Sequence, residues 1–98
     1  MANVVFHPDA QSEFQASLSW YGRQSTRAAQ GFEREVDRVL TAIASSPVRY
    51  PFYDDVFREA PLTRYPFSMV YRVESNGDVL VVAVAHASRE PGYWQGRA

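Results

Sequence analysis

The chain has 98 residues, a formal net charge of −1, 46% hydrophobic and 21% charged residues, and no cysteine. Those values fit one folded domain over residues 1–98. They exclude a disordered tail, a second catalytic module, a disulfide-stapled scaffold and a cysteine nucleophile. All ten basic side chains are arginine, and the acidic residues nearly balance them, so no global field draws the chain to nucleic acid.

The first residues, Met1 to Phe6, carry no basic side chain. The longest apolar run, Val79 to Ala85, is far too short to span a bilayer. A soluble, cytoplasmic protein is expected. Val4-Val5-Phe6 reads as a short strand, and Pro8 then suits the first turn of a helix. Asp9 and Glu13 place negative charge near the positive end of that helix. Ala10, Phe14, Leu18 and Tyr21 recur at helical spacing as its apolar stripe, with Trp20 on the flank. Gly22 and the polar stretch Arg23 to Thr26 are expected to end it.

Ser25 or Thr26 caps a second helix that runs to about Ser45, with Phe32, Val36, Val39, Leu40 and Ile43 as its stripe. On its outer side Glu33–Asp37 and Arg34–Arg38 are like-charge pairs at i,i+4, only partly offset by Glu35–Arg38. Gly31 is expected to weaken the helix by about 1 kcal/mol relative to alanine. Ser45-Ser46-Pro47 stops it. The short link between the helices implies an antiparallel hairpin.

Pro47, Tyr50, Pro51, Phe52 and Tyr53 form an irregular connector expected to pack against the body. Val56 to Leu62 reads as a strand interrupted by Pro61, hence an edge. Phe67, Met69, Tyr71 and Val73 alternate with polar residues, the mark of a half-buried strand. Asn76-Gly77 is a strong hairpin signal, and Val79 to Ala85 reads as a central strand buried on both faces. The order is β-α-α-β-β-β: an α+β fold, with an N-terminal helical hairpin packed on one face of a mainly antiparallel sheet.

The closing stretch His86-Ala87-Ser88-Arg89-Glu90-Pro91-Gly92-Tyr93-Trp94 resembles the end of RelE/ParE-type toxins. Three further parts agree with it. Phe6-His7-Pro8 leads into a helix ending in Trp20-Tyr21. Phe32 to Asp37 is followed by Ile43 and Pro47. Arg58 is followed by Leu62, Tyr65-Pro66-Phe67 and Tyr71-Arg72-Val73. The resemblance runs from about Val4 to Trp94 and is nearer in style to the ParE-type, plasmid-stabilisation branch. It implies the toxin of a type II toxin–antitoxin pair. Within the superfamily, ParE-like members poison DNA gyrase and RelE-like members cleave messenger RNA on the ribosome. Other members have no settled target. It also implies an antitoxin partner, flexible until bound, that lays a helix or strand along the toxin.

Fold does not fix function, so three readings stand side by side. The first is a non-enzymatic inhibitor of gyrase, touching its target through Arg58, Arg64, Arg89, Trp94 and Arg97. The second is a metal-independent endoribonuclease, which needs a base, an acid and a stabiliser of the charged phosphorane. His86, Arg58, Arg64 and Tyr93 are the candidates, with Arg58 and Arg64 sharing a face if they share a strand. The third is a non-toxic relative that keeps antitoxin binding.

Each candidate also has a structural role open to it. His86 suits a packed, hydrogen-bonded position, and Arg58 and Arg64 suit surface pairs with Glu59, Asp54 or Asp55. Tyr93 and Trp94 suit packing of the tail over the sheet, while Arg89 and Arg97 suit exposed tail charges. A ribosome-directed nuclease would call for a strongly basic surface, and the faintly acidic balance here speaks against it. His7, His86 and the scattered carboxylates do not have metal-ligand spacing, and no glycine-rich phosphate loop occurs, so neither metal nor cofactor is expected.

Overall fold

Proline has no amide hydrogen to leave unsatisfied in a helix's first turn, and the chain becomes helical at Pro8. In the computed structural model, which describes residues 1–97, β1 (Val4–Phe6) leads into α1 (Pro8–Gln24) and α2 (Thr26–Ser45). Then come β2 (Arg58–Pro61), β3 (Phe67–Val73) and β4 (Val79–His86). This is the expected β-α-α-β-β-β order. His7 caps α1, its Nδ1 accepting from the Asp9 amide at 3.0 Å.

α1 ends at Gln24, within the expected stretch from Gly22 to Thr26. The glycine costs the helix about 1 kcal/mol, and the packing of Tyr21 on Phe32, ring centroids 5.1 Å apart, holds the last turn in place. Ser25 alone then links the helices. Its amide donates to the Tyr21 carbonyl, closing α1, and its hydroxyl accepts from the Ala28 amide, opening α2.

The sheet order is β1-β4-β3-β2, with β1 parallel to β4 and the other pairs antiparallel. Gly77, at φ 90, provides the left-handed turn between β3 and β4. β2 is shorter than the expected Val56 to Leu62. An Asp54 carboxylate oxygen accepts from the amides of Val56 and Phe57 at 2.8 and 2.7 Å, which holds those residues in a turn outside the ladder. On the outer side of β2 the Glu59 amide donates to the Pro51 carbonyl, so the connector covers this edge.

Both faces of the sheet are covered. The helices bury Phe32, Val36, Val39 and Ile43 against Met69, Tyr71 and Val81. The C-terminal tail covers the opposite face, with Trp94 against Phe57, Val70, Val82, Ala83 and Ala85. β3 is therefore more buried than its half-polar pattern implied, because Val70 lies under the tail. A β-bulge in β4 sets which of its residues face each side. The register moves from Val70↔Ala83 to Tyr71↔Val81, leaving Val82 as the extra residue. The bulge puts Val82 and Ala83 on the tail side and returns Val84 to the helix side.

β1 pairs with β4 only from Val79 to Val81. Beyond that point side chains close the edge of β4. Glu13 of α1 accepts from the Val84 amide at 3.0 Å, and Arg97 donates to the Val82 carbonyl at 2.8 Å. Arg97 and Glu13 also form a two-pronged ion pair at 3.0 Å on each arm. The Tyr93 hydroxyl donates to the same carboxylate at 2.8 Å. Replacing Glu13 strands a buried amide, a half-buried guanidinium and a tyrosine hydroxyl together. Glu13→Ala is expected to lower unfolding free energy by about 2–4 kcal/mol in chemical denaturation, while Gln11→Ala, on the exposed side, changes it by less than about 0.5 kcal/mol.

Candidate interaction surface

Two clefts meet at the tip of the helical hairpin. The first is an apolar groove of about 510 Å³ between the end of α1 and the β2–β3 loop, lined by Ala16, Trp20, Tyr21, Pro66, Phe67 and His86 among others. Helical spacing places Ala16 and Trp20 beside each other on α1. Trp20 faces neither the core nor the tail and is 51% exposed. An exposed tryptophan over an apolar groove is a feature of binding surfaces.

The second cleft, of about 570 Å³, lies along α2 and is polar, with Arg27, Arg34, Arg38 and Arg64 around it. Glu35 ties its wall together. Its carboxylate accepts from Arg38 at 2.6 and 3.0 Å and from the Thr63 amide at 2.6 Å. The Arg38 hydrogen bond is the main reason that the Glu35 carboxyl is lowered to about 2. Tyr65 forms the floor, donating its hydroxyl to the Ala28 carbonyl and packing edge-on to Tyr21 and Phe32. Tyr21 and Tyr65 thus separate the two clefts by the width of one aromatic contact, 5.2 Å between centroids.

The residues singled out from sequence lie in several places. His86 ends β4, packs edge-on against Phe67 at 4.9 Å, and its Nδ1 is engaged by the amide and hydroxyl of Ser88. Arg58 is turned into the connector, donating to the carbonyls of Tyr50 and Val48 with its guanidinium over Phe52. Its partners are carbonyls, not the nearby carboxylates. Arg64 lies past the end of β2 at φ 72, so the two arginines do not share a strand face. Arg64 lines the α2 cleft, Arg58 a separate one beside the connector, and His86 the groove at Trp20.

Tyr93 is fixed to Glu13 on the far edge of the sheet. Burial, and then that hydrogen bond, push its hydroxyl up to about 12. Arg89 stacks on the Tyr93 ring at 4.0 Å. Arg97 is held by Glu13 and Val82 and is not the exposed tail charge that its position suggested. Trp94 is 3% exposed, which leaves it little surface to offer a target.

Sequence reading missed the α2 cleft and the strand-closing role of Glu13. The cleft had a signal. Arg27, Gly31, Arg34 and Arg38 fall at i, i+4, i+7 and i+11, one stripe of a helix. Glu13 had none, because its partner is a backbone amide 71 positions away.

Gly31 also changes meaning in the structure. A Cβ at this position would collide with the Tyr65 hydroxyl. In an open helix Gly→Ala gains about 1 kcal/mol; here overpacking should reverse the sign. Gly31→Ala is expected to lower stability by about 1 kcal/mol. Adding Tyr65→Phe, which removes the colliding oxygen, should restore most of the loss in thermal or urea unfolding. A stabilised single variant would contradict this packing.

Residues 4–91 match the family model described as the ParE toxin of the type II toxin–antitoxin system parDE. No curated protein matches the sequence. Among solved structures the fold is similar to one titled as the chromosomal ParDE TA system from P. aeruginosa, with a TM-score of 0.75. That likeness is at 15% identity over 90% of this chain and 98% of the other, and it speaks to fold alone. The family match runs from β1 to the turn after β4, and this chain belongs to the ParE toxin family of type II toxin–antitoxin systems.

Proposed function

We propose that this protein arrests growth by inhibiting DNA gyrase, without catalysing a reaction, and that a cognate antitoxin neutralises it. The family supplies the toxin role. The observation that carries the non-enzymatic reading is the dispersal of the candidate catalytic groups. His86, Arg58 and Arg64 border three different clefts, and Tyr93 is tied to Glu13 at the far edge of the sheet. General acid–base cleavage of RNA needs its base, acid and phosphate clamp within about 3 Å of the reacting atoms. The near-neutral charge agrees, since phosphate contacts supply most of the affinity of a nuclease for RNA.

The antitoxin segment, ordered on binding, would lie in the Trp20 groove, where Tyr21 and Phe67 give apolar side chains a place to bury. One observation favours the alternative of a ribosome-dependent messenger RNA endonuclease. His86, Arg89 and Glu59 border a shallow cleft of about 270 Å³ on the tail side.

Induced expression in the absence of any antitoxin separates the readings. Gyrase inhibition predicts growth arrest with cleaved chromosomal DNA and an SOS response, relieved by co-expressing the antitoxin expected from a neighbouring reading frame. Messages cut in the ribosomal A site would replace this reading with the nuclease. Unimpaired growth would leave a non-toxic relative.

A further inference from the structure

The α2 cleft gathers positive charge that the fold itself does not use. Arg27, Arg34, Arg38 and Arg64 surround it and only Glu35 answers them, a surplus of three charges in a protein whose net charge is −1. Arg38 is taken by Glu35. Among the described residues, Arg27, Arg34 and Arg64 form no ion pair. Arg34 and Arg38, at i,i+4, repel each other along the helix. The first turn of α2 carries no acidic residue, so the positive end of its dipole adds to the same field.

Arg64 is the one non-glycine residue among those described with a positive φ, 72°. That conformation is uncommon and strained for a side chain of this kind. The flanking residues hold it in place: the Thr63 amide is bound to Glu35, and the Tyr65 hydroxyl to the Ala28 carbonyl. The result projects a fourth guanidinium across the cleft from the α2 stripe. Strain and like-charge repulsion are thus both tolerated at one surface, as expected where charge is kept for a partner.

The cleft also adjoins the Trp20 groove, across the Tyr21–Tyr65 contact. A nucleic acid strand would find phosphate partners in the cleft, but an apolar groove beside them offers it little. A peptide carrying acidic and apolar residues matches both halves. From Arg27 to Arg38 the stripe is about 16 Å long, which an extended segment of about five residues covers.

We propose that this cleft binds an acidic stretch of the neutralising partner, continuous with the apolar residues that fill the Trp20 groove. The proposal rests on reading the chain as an antitoxin-controlled toxin. Guanidinium forks take carboxylates in two-pronged pairs, so such a stretch sets specificity and on-rate as well as affinity.

The test uses a fluorescein-labelled peptide of glutamate and leucine, its glutamine–leucine counterpart, and a single-stranded oligonucleotide, with binding followed by anisotropy. The glutamate peptide should bind at least about tenfold more tightly than the glutamine peptide, and its affinity should fall as salt rises. Arg27→Glu with Arg34→Glu should weaken it about tenfold or more while circular dichroism stays that of the parent. The milder pair Arg27→Gln with Arg34→Gln should weaken it less, which guards against a folding artefact. Equal binding of the two peptides, or tighter binding of the oligonucleotide, overturns the proposal. In cells, the neighbouring reading frame should rescue the parent and fail to rescue the Arg27→Glu, Arg34→Glu toxin. Rescue of both overturns the acidic-stretch proposal but leaves the toxin reading standing. Failure to rescue the parent counts against the antitoxin reading instead, while peptide binding still decides the cleft.

Discussion

A central strand must have its backbone satisfied along both edges, and β4 does not obtain this from strands alone. β1 ends after three paired residues, while β4 runs five residues further. The Val84 amide and Val82 carbonyl are closed by Glu13 from the first helix and Arg97 from the tail. An unpaired amide in such a place costs about 1–3 kcal/mol, and an uncompensated charge more. The two side chains answer both demands, because each neutralises the other while capping the strand. Through this one contact the first helix, the central strand and the C-terminal tail become a single mechanical unit.

This arrangement decides which residues face outward. The tail carries Tyr93, Trp94 and Arg97, and the fold uses all three: Trp94 seals the outer sheet face, while Tyr93 and Arg97 complete the carboxylate network. The bulge at Val82 serves the same end by giving the tail an apolar floor on that face. A different part of the surface is left open. There the hairpin tip and the β2–β3 loop present an exposed indole, a groove and an arginine stripe.

Local patterning revealed the elements well. Four-four-three spacing marked α1, the Phe32–Ile43 stripe marked α2, Asn76-Gly77 marked the β3–β4 turn, and the unbroken apolar run Val79 to Ala85 marked a strand buried on both sides. The strand boundary that shifted did so where a side chain overrode the pattern: Asp54 capped a turn and shortened β2. The candidate site was far less legible. Arg97 in the sequence looks like any tail charge, and only the fold brings Glu13, 84 positions away, against it. Arg58 and Arg64 are six residues apart, yet the end of β2 and the left-handed backbone of Arg64 itself send them to different clefts.

Hydrogen exchange at the Val84 amide tests the central contact most directly, because that hydrogen has a side chain and not a strand as its acceptor. If Glu13 and Arg97 close the edge as described, Val84 exchanges only through global unfolding, as slowly as the β3-paired amides of β4. Exchange at Val84 far faster than at those amides would mean that the edge is open to water, and the account of what holds this fold together would fail.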